Sequence, residues 1–198
     1  MNHVLIQHYR TGNDYISEHS DKTIDVDRGS NIVNVSLGSQ RAMTLRLKRD
    51  KTSPEAEGTV TSPQARAEAA PPPREAQRIP LPHNSMFVMG PETNAKWLHA
   101  IKTDKRPFHL KSDEEQYQGG ERISLTFRHI GTFLNADETR IWGQGAKGKT
   151  KQTAGVVIHG TEEGGRLIAA FGAENQQSDF DWDQNYGQGF DVLHQIEV

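Results

Sequence analysis

The chain has 198 residues, a formal charge of -3 and no cysteine. That length fits one ordinary domain with extensions. The missing thiols exclude disulfides, zinc–thiolate and iron–sulfur sites and thiol nucleophiles, and the charge gives no global attraction for a polyanion.

Hydrophobic residues make up 33% of the chain and mean hydropathy is -0.76, low for a compact globule of this size, so part of the chain is expected to be solvated. In chain order, residues 4–9 read as a strand ended by a turn at 10–13. Residues 31–37 and 42–48 read as two further strands joined by a turn at 38–41. Residues 49–82 are rich in Ser, Thr, Pro, Ala, Glu and Arg. Such a segment cannot offset its ordering entropy by burial, and a disordered insert is expected there. Residues 85–89 read as a short buried strand, 91–97 as a loop or one helical turn, 109–120 as an exposed loop, and 123–128 as an alternating strand. A short helix is expected within 162–174, around Arg166 to Phe171, followed by an aromatic-rich tail near Phe180, Trp182, Tyr186 and Phe190. Many strands and few helices point to a barrel or jelly roll. No apolar run approaches the roughly 20 residues that span a bilayer, and no secretory h-region is present. The expectation is an intracellular chain, nuclear or cytoplasmic, with no membrane partner.

The residues able to carry chemistry come in a defined order. His19 and Asp21 are two apart, so in extended chain both leave the same face. His99 follows from a distant strand. Arg122 and Arg128 lie an even number of residues apart on one strand and share a face with Ser124 and Thr126. That face reads equally well as the wet side of a sheet. If it points inward, two guanidiniums need an anion, and planar guanidiniums match carboxylates in a bidentate way. Two imidazoles and one carboxylate suit a non-haem Fe(II) site with one face of the metal left open.

His19, Ser20 and Asp21, then His99, then the run from Arg122 to Arg128 resemble the AlkB family of Fe(II)/2-oxoglutarate dioxygenases. Supporting context lies at 5–9, 32–38 and 84–89. The resemblance covers about 4–130 apart from the insert. It implies a mainly β fold, the double-stranded β-helix or jelly roll, incomplete at the N-terminus. Residues 1–131 would form the dioxygenase domain and 132–198 an irregular C-terminal extension packed on it. It further implies Fe(II) on His19, Asp21 and His99, and 2-oxoglutarate on Arg122 and Arg128, with Arg122 on the distal carboxylate. Tyr9 would hydrogen-bond the cosubstrate, helped by Ser124 and Gln7. The implied reaction consumes O2 and 2-oxoglutarate, forms succinate and CO2, and removes N-methyl groups from bases of alkylated DNA or RNA as formaldehyde.

The chain departs from the family at Gln7 and Ser124, where Asn is usual, and at Thr23, where an acidic residue often meets the damaged base. It also begins almost at the first strand, so the family's N-terminal portion is expected to be missing. These departures leave two further readings: a dioxygenase of the same fold acting on a protein or small molecule, and a truncated non-catalytic remnant. Residues 143–150 match the spacing of a phosphate-binding loop, but the flanking residues supply neither the buried strand nor the long helix that the mechanism demands. Lys147, Lys149 and Lys151 remain candidates for contacts with nucleic-acid phosphates beside a plain solvated loop. Trp142, Trp182 and Tyr186 read as packing residues. Arg46, Lys48, Arg49 and Lys51 read as a solvated basic face.

Overall fold

The computed structural model describes residues 1–49, 73–160 and 162–193. Its centre is a pair of four-stranded antiparallel sheets. One has the order β1 (His3–Tyr9), β8 (Arg122–Arg128), β3 (Ile32–Gly38), β6 (Ser85–Met89). The other has the order β2 (Ile16–His19), β7 (Trp97–Ile101), β4 (Arg41–Leu47), β5 (Ala76–Leu81). The chain passes back and forth between the sheets, which gives the expected mainly β jelly roll. The turn from β3 to β4 depends on Gly38, at φ +92°, where a Cβ would meet the Glu121 carbonyl oxygen at 2.3 Å.

The end of the expected insert is corrected by the structure. Residues 50–72 lie outside the described residues, but Ala76–Leu81 form a strand paired with β4. Ile79 and Leu81 alternate toward the core, and Leu81 is buried. Pro80 is tolerated because β5 is an edge strand whose outer side needs no ladder donor. The exposed loop expected at 109–120 contains short helical turns, including α2 (Asp113–Gln116) with a Ser112–Glu115 capping box. Residues 91–97 become α1 (Pro91–Lys96), one to two turns running straight into β7.

Between the sheets pack Tyr9, Met43, Leu45, Leu81 and Ile101. Full burial of such side chains stabilises by about 1.5–3 kcal/mol each. The outer face of the first sheet is unusual. Ile6 is 65% exposed and Met86 68%, with Val4, Val88 and Ile123 also exposed. The expectation of a wholly buried strand at 85–89 is therefore corrected: β6 is an edge strand, and Phe87 and Met89 turn inward while Met86 and Val88 turn outward.

After β8 the chain makes a small sheet of β9 (Thr132–Leu134), β10 (Arg140–Gly143) and β11 (Gly155–Val156), then α3 (Glu162–Gln176) and α4 (Trp182–Tyr186). Buried Leu167, Ala170 and Glu174 recur at helical spacing along α3. Gly164, Gly165 and Gly172 weaken this helix by about 1 kcal/mol each relative to Ala, so docking has to hold it. Tyr186 is completely buried and is ringed by Phe171, Phe180, Trp182 and Phe190, with centroids 5.2–6.4 Å away. Trp182 and Tyr186 are packing residues, as expected, and Trp142 stacks on Phe133.

Lys48 does not belong to a solvated face. It is 3% exposed, and its Nζ donates to the Glu174 carbonyl at 2.7 Å. Burial pulls its pKa down to about 8, only partly opposed by Glu174. Between that value and the unfolded value near 10.5 the unfolded chain binds more protons, so this residue makes stability rise with pH. From pH 8 to 10 the expected gain is on the order of 2 kcal/mol. Above pH 10 the raised phenols of Tyr9 and Tyr186 act in the opposite sense. Urea unfolding of the unmodified chain and of Lys48→Met across this window checks the assignment: the rise should be much smaller in the variant, where only the lowered Lys22 remains to drive it.

Candidate metal and cosubstrate site

The metal-capable cluster is set by strand register. β2 and β7 are antiparallel, and His19 lies directly opposite His99 after an irregularity in the pairing. Cross-strand neighbours bring their side chains together, and the two imidazole centroids are 4.2 Å apart. The chain leaves β2 at His19 and turns at Ser20, which points Asp21 at both rings. Asp21 Oδ1 lies 3.9 Å from His19 Nε2 and 3.7 Å from His99 Nε2. One donor atom from each of the three residues lies within 4.8 Å of the others. His19 Nδ1 donates to the Ser17 carbonyl at 2.8 Å, which fixes the tautomer and turns the Nε2 lone pair toward the cluster. Burial depresses the pKa of His99 to about 4, so this imidazole is neutral at pH 7 and able to ligate. Burial pushes the Asp21 carboxyl up, but the hydrogen bonds and charge of Arg128 outweigh it and hold the group below the ordinary carboxylate range.

The two arginines do face inward, and the wet-side reading of β8 fails. Arg122 is 1% exposed, Ser124 2% and Thr126 7%. Arg128 donates to both Asp21 carboxylate oxygens, at 2.5 and 3.0 Å, so it borders the cluster directly. Arg122 lies deeper. Its Nη2 donates to Ser36 Oγ at 2.8 Å, with longer contacts to Asn34 and Ser124. Its Nε and Nη1 are buried with no hydrogen-bond partner among the described residues. Two unpaired donors on a buried cation mark a place where a carboxylate fits. The Tyr9 ring packs against this guanidinium, 5.1 Å from its carbon, and burial keeps the phenol protonated against the pull of Arg122. Gln7 lines the same cavity of about 70 Å³, which His19, His99, Arg122 and Arg128 also face. Seven of the eight residues expected at the site line this cavity, and Asp21 adjoins it through His19, His99 and Arg128. A donor set of two imidazoles and one carboxylate, beside a cation with donors unpaired among the described residues, fits Fe(II) and an anionic cosubstrate.

Three contributors have no signal of their own in the sequence. Asn34 donates to Ser124 Oγ at 2.7 Å and Thr126 Oγ1 at 2.9 Å. Ser36, with Asn34, receives the Arg122 contact. Asn94 on α1 pairs with the Asp21 backbone in both directions, at 2.9 Å each way. Polar residues two apart on one strand face could have flagged Asn34 and Ser36, had the inward face been known.

The C-terminal lysines are placed differently from expectation. Residues 143–150 follow β10 and lead only to a single 3-10 turn at Lys151–Thr153, so no phosphate-binding strand–loop–helix exists. Lys147 Nζ pairs with Glu163 at 2.6 Å, and Lys149 Nζ donates to the carbonyls of Gln144 and Ala146. Both ammonium groups make contacts within the fold. Lys151 lies over the Trp142 ring, 6.0 Å from its centre. The plain solvated-loop reading also fails, since Ala146 at the loop's centre has no exposure. A surface groove of about 590 Å³ beside Arg41, Arg78 and Arg106 does not include the histidines. Its Arg106 is satisfied by Asp104 and Glu115.

Residues 1–128 match the family model described as the 2OG-Fe(II) oxygenase superfamily. Fold, cluster and match agree, and the chain belongs to that superfamily. Within it the chain is AlkB-like. It is 32% identical over 129 residues to the mouse DNA oxidative demethylase ALKBH2, covering 65% of this chain and 43% of that one. It is 31% identical over 130 residues to the human protein of that name, covering 65% and 40%. The Arabidopsis thaliana protein of that name is 28% identical over 129 residues, covering 65% and 38%. The chain therefore spans about two fifths of the length of the curated relatives it matches. The superfamily implies Fe(II), 2-oxoglutarate and O2 as the reacting partners. No described helix is long and apolar enough to cross a membrane.

Proposed function

We propose that this chain is an Fe(II)/2-oxoglutarate-dependent dioxygenase that removes N-alkyl groups from bases of DNA or RNA by oxidation, inside the cell. The observation that carries the reading is the buried His19–Asp21–His99 cluster beside a guanidinium with unpaired donors. The names of its relatives favour DNA. In this reading His19 Nε2, His99 Nε2 and an Asp21 oxygen would hold Fe(II). Arg122 takes the distal carboxylate of 2-oxoglutarate through Nε and Nη1, with Tyr9, Ser124 and Gln7 around it. Arg128, which donates to Asp21, would hold the other carboxylate of 2-oxoglutarate. With O2, the bound metal and cosubstrate supply the oxidising chemistry that hydroxylates an N-methyl group. The chain's own part is to position both and to keep the cavity closed on the protein side.

Anaerobic addition of Fe(II) and 2-oxoglutarate tests the site: a weak visible charge-transfer band is expected. Succinate formation then tests for turnover, which a non-catalytic remnant would lack. Formaldehyde release from methylated DNA, methylated RNA and methylated peptides separates the substrate classes, and release from peptides alone would move the proposal to a protein substrate. Arg128→Lys keeps the charge but loses the fork, so 2-oxoglutarate is expected to bind roughly tenfold more weakly. An unaltered cosubstrate affinity in calorimetric titration would remove Arg128 from this role.

A further inference from the structure

The loop that carries Asp21 is held by the far end of the chain. β2 ends at His19, so Ser20 to Thr23 have no sheet ladder to satisfy their backbone. Buried amides need partners, and here side chains supply them. Ser20 N and Oγ both donate to Asn175 Oδ1 at 3.0 Å. Thr23 N and Oγ1 both donate to Glu174 Oε1, at 3.0 and 2.5 Å. The Thr23 carbonyl accepts from Trp182 Nε1 at 3.1 Å and from Gln144 Nε2 at 2.8 Å. Glu174 is itself pinned, because its Oε2 accepts from the buried Tyr186 hydroxyl at 2.8 Å and its carbonyl accepts from Lys48. Asn175 and Glu174 are adjacent on α3, so one helical turn grips the loop on both sides of Asp21. Of the residues making these contacts to the loop and to Glu174, all but Lys48 lie beyond residue 128, where the family match stops.

We infer that α3 and α4 form a positioning clamp for the metal carboxylate, with Asn175 and Trp182 as positioning residues that touch neither metal nor substrate. The inference rests on the metal reading above. Outer partners of metal ligands change metal affinity by about 10- to 100-fold when lost. Asn175→Ala removes the acceptor of both Ser20 donors and frees the loop one residue from Asp21. Asn175→Asp keeps an acceptor oxygen in place.

Co(II) binding to the full 198-residue chain, followed by its visible spectrum and by equilibrium dialysis, tests the clamp. Asn175→Ala is expected to raise the Co(II) dissociation constant at least about tenfold and to alter the band shape, and Asn175→Asp to restore both. If Asn175→Ala fails to fold, Trp182→Phe carries the test: it removes one donor to Thr23, keeps the aromatic packing, and is expected to weaken Co(II) by about threefold. The inference is overturned if Asn175→Ala binds Co(II) as tightly as the unmodified chain, if Asn175→Asp binds as weakly as the Ala variant, or, where Trp182→Phe is the variant read, if its affinity is unchanged. A failure of the metal reading looks different: the unmodified chain would not bind Co(II), or His99→Ala would bind it undiminished.

Discussion

Asp21→Ala is expected to eliminate tight binding of Fe(II) and with it the turnover of 2-oxoglutarate. The carboxylate is the only anionic member of the three-donor cluster, and it stands between the two imidazoles. Without it, the remaining pair of histidines holds a divalent cation with neutral donors alone. A loss of metal affinity of about 1,000-fold or more follows, since both a ligand and its charge are gone. The variant should also be less stable without metal. Arg128 would keep a largely buried guanidinium with its carboxylate partner removed, at a cost of about 3 kcal/mol. Metal titration and urea unfolding read the two effects separately. Near-normal metal affinity in this variant would remove Asp21 from the metal site, whatever happened to stability.

Arg122→Met should show the opposite pattern in stability. Arg122 is a buried cation whose Nη2 donates to neutral oxygens and whose Nε and Nη1 find no partner among the described residues. Burying such a charge is costly, and replacing it by an apolar side chain of similar size is often neutral or stabilising by about 1–3 kcal/mol. Affinity for 2-oxoglutarate should nevertheless fall by about 100-fold or more, because two charge-assisted hydrogen bonds to the distal carboxylate are lost. Thermal unfolding of the metal-free chain and calorimetric titration of the Mn(II)-loaded chain with 2-oxoglutarate give the two numbers. A fall in stability together with unchanged affinity would mean that Arg122 holds the sheet together and has no part in cosubstrate binding. The pairing of lost function with retained or improved stability marks a residue kept for its chemistry.

Asn34 and Ser36 show where strand periodicity misleads. In β3 the apolar residues Val33, Val35 and Leu37 alternate with Asn34 and Ser36, and in β8 Ile123, Leu125 and Phe127 alternate with Arg122, Ser124, Thr126 and Arg128. Hydrophobicity alone assigns the apolar set to the core. The structure does the reverse: the polar set lines the cavity and the apolar set forms the outer face of the sheet. A period of two separates the faces but does not say which is inside. The ordered set of His19, Asp21, His99 and two arginines favoured the inward choice, because two guanidiniums pointing inward need an anion between them. The strand at Ala76–Leu81 was hidden for a related reason. Its Pro80 and polar neighbours read as irregular chain, and only its edge position beside β4 makes a strand of them.

Residue types and their order determined the class of chemistry: two imidazoles, a carboxylate and two guanidiniums have few uses in common, and that logic needs no coordinates. The strands themselves were legible as well, because β-branched alternation is a local property. Tertiary structure alone decided that β2 and β7 pair with His19 opposite His99, and that the polar face of β8 turns inward. It alone brought Glu174, Asn175 and Trp182 from the far end of the chain onto the loop at Asp21. Pairing register and long-range docking depend on which surfaces can be buried together, and that is a property of the whole fold, which no local window of residues contains.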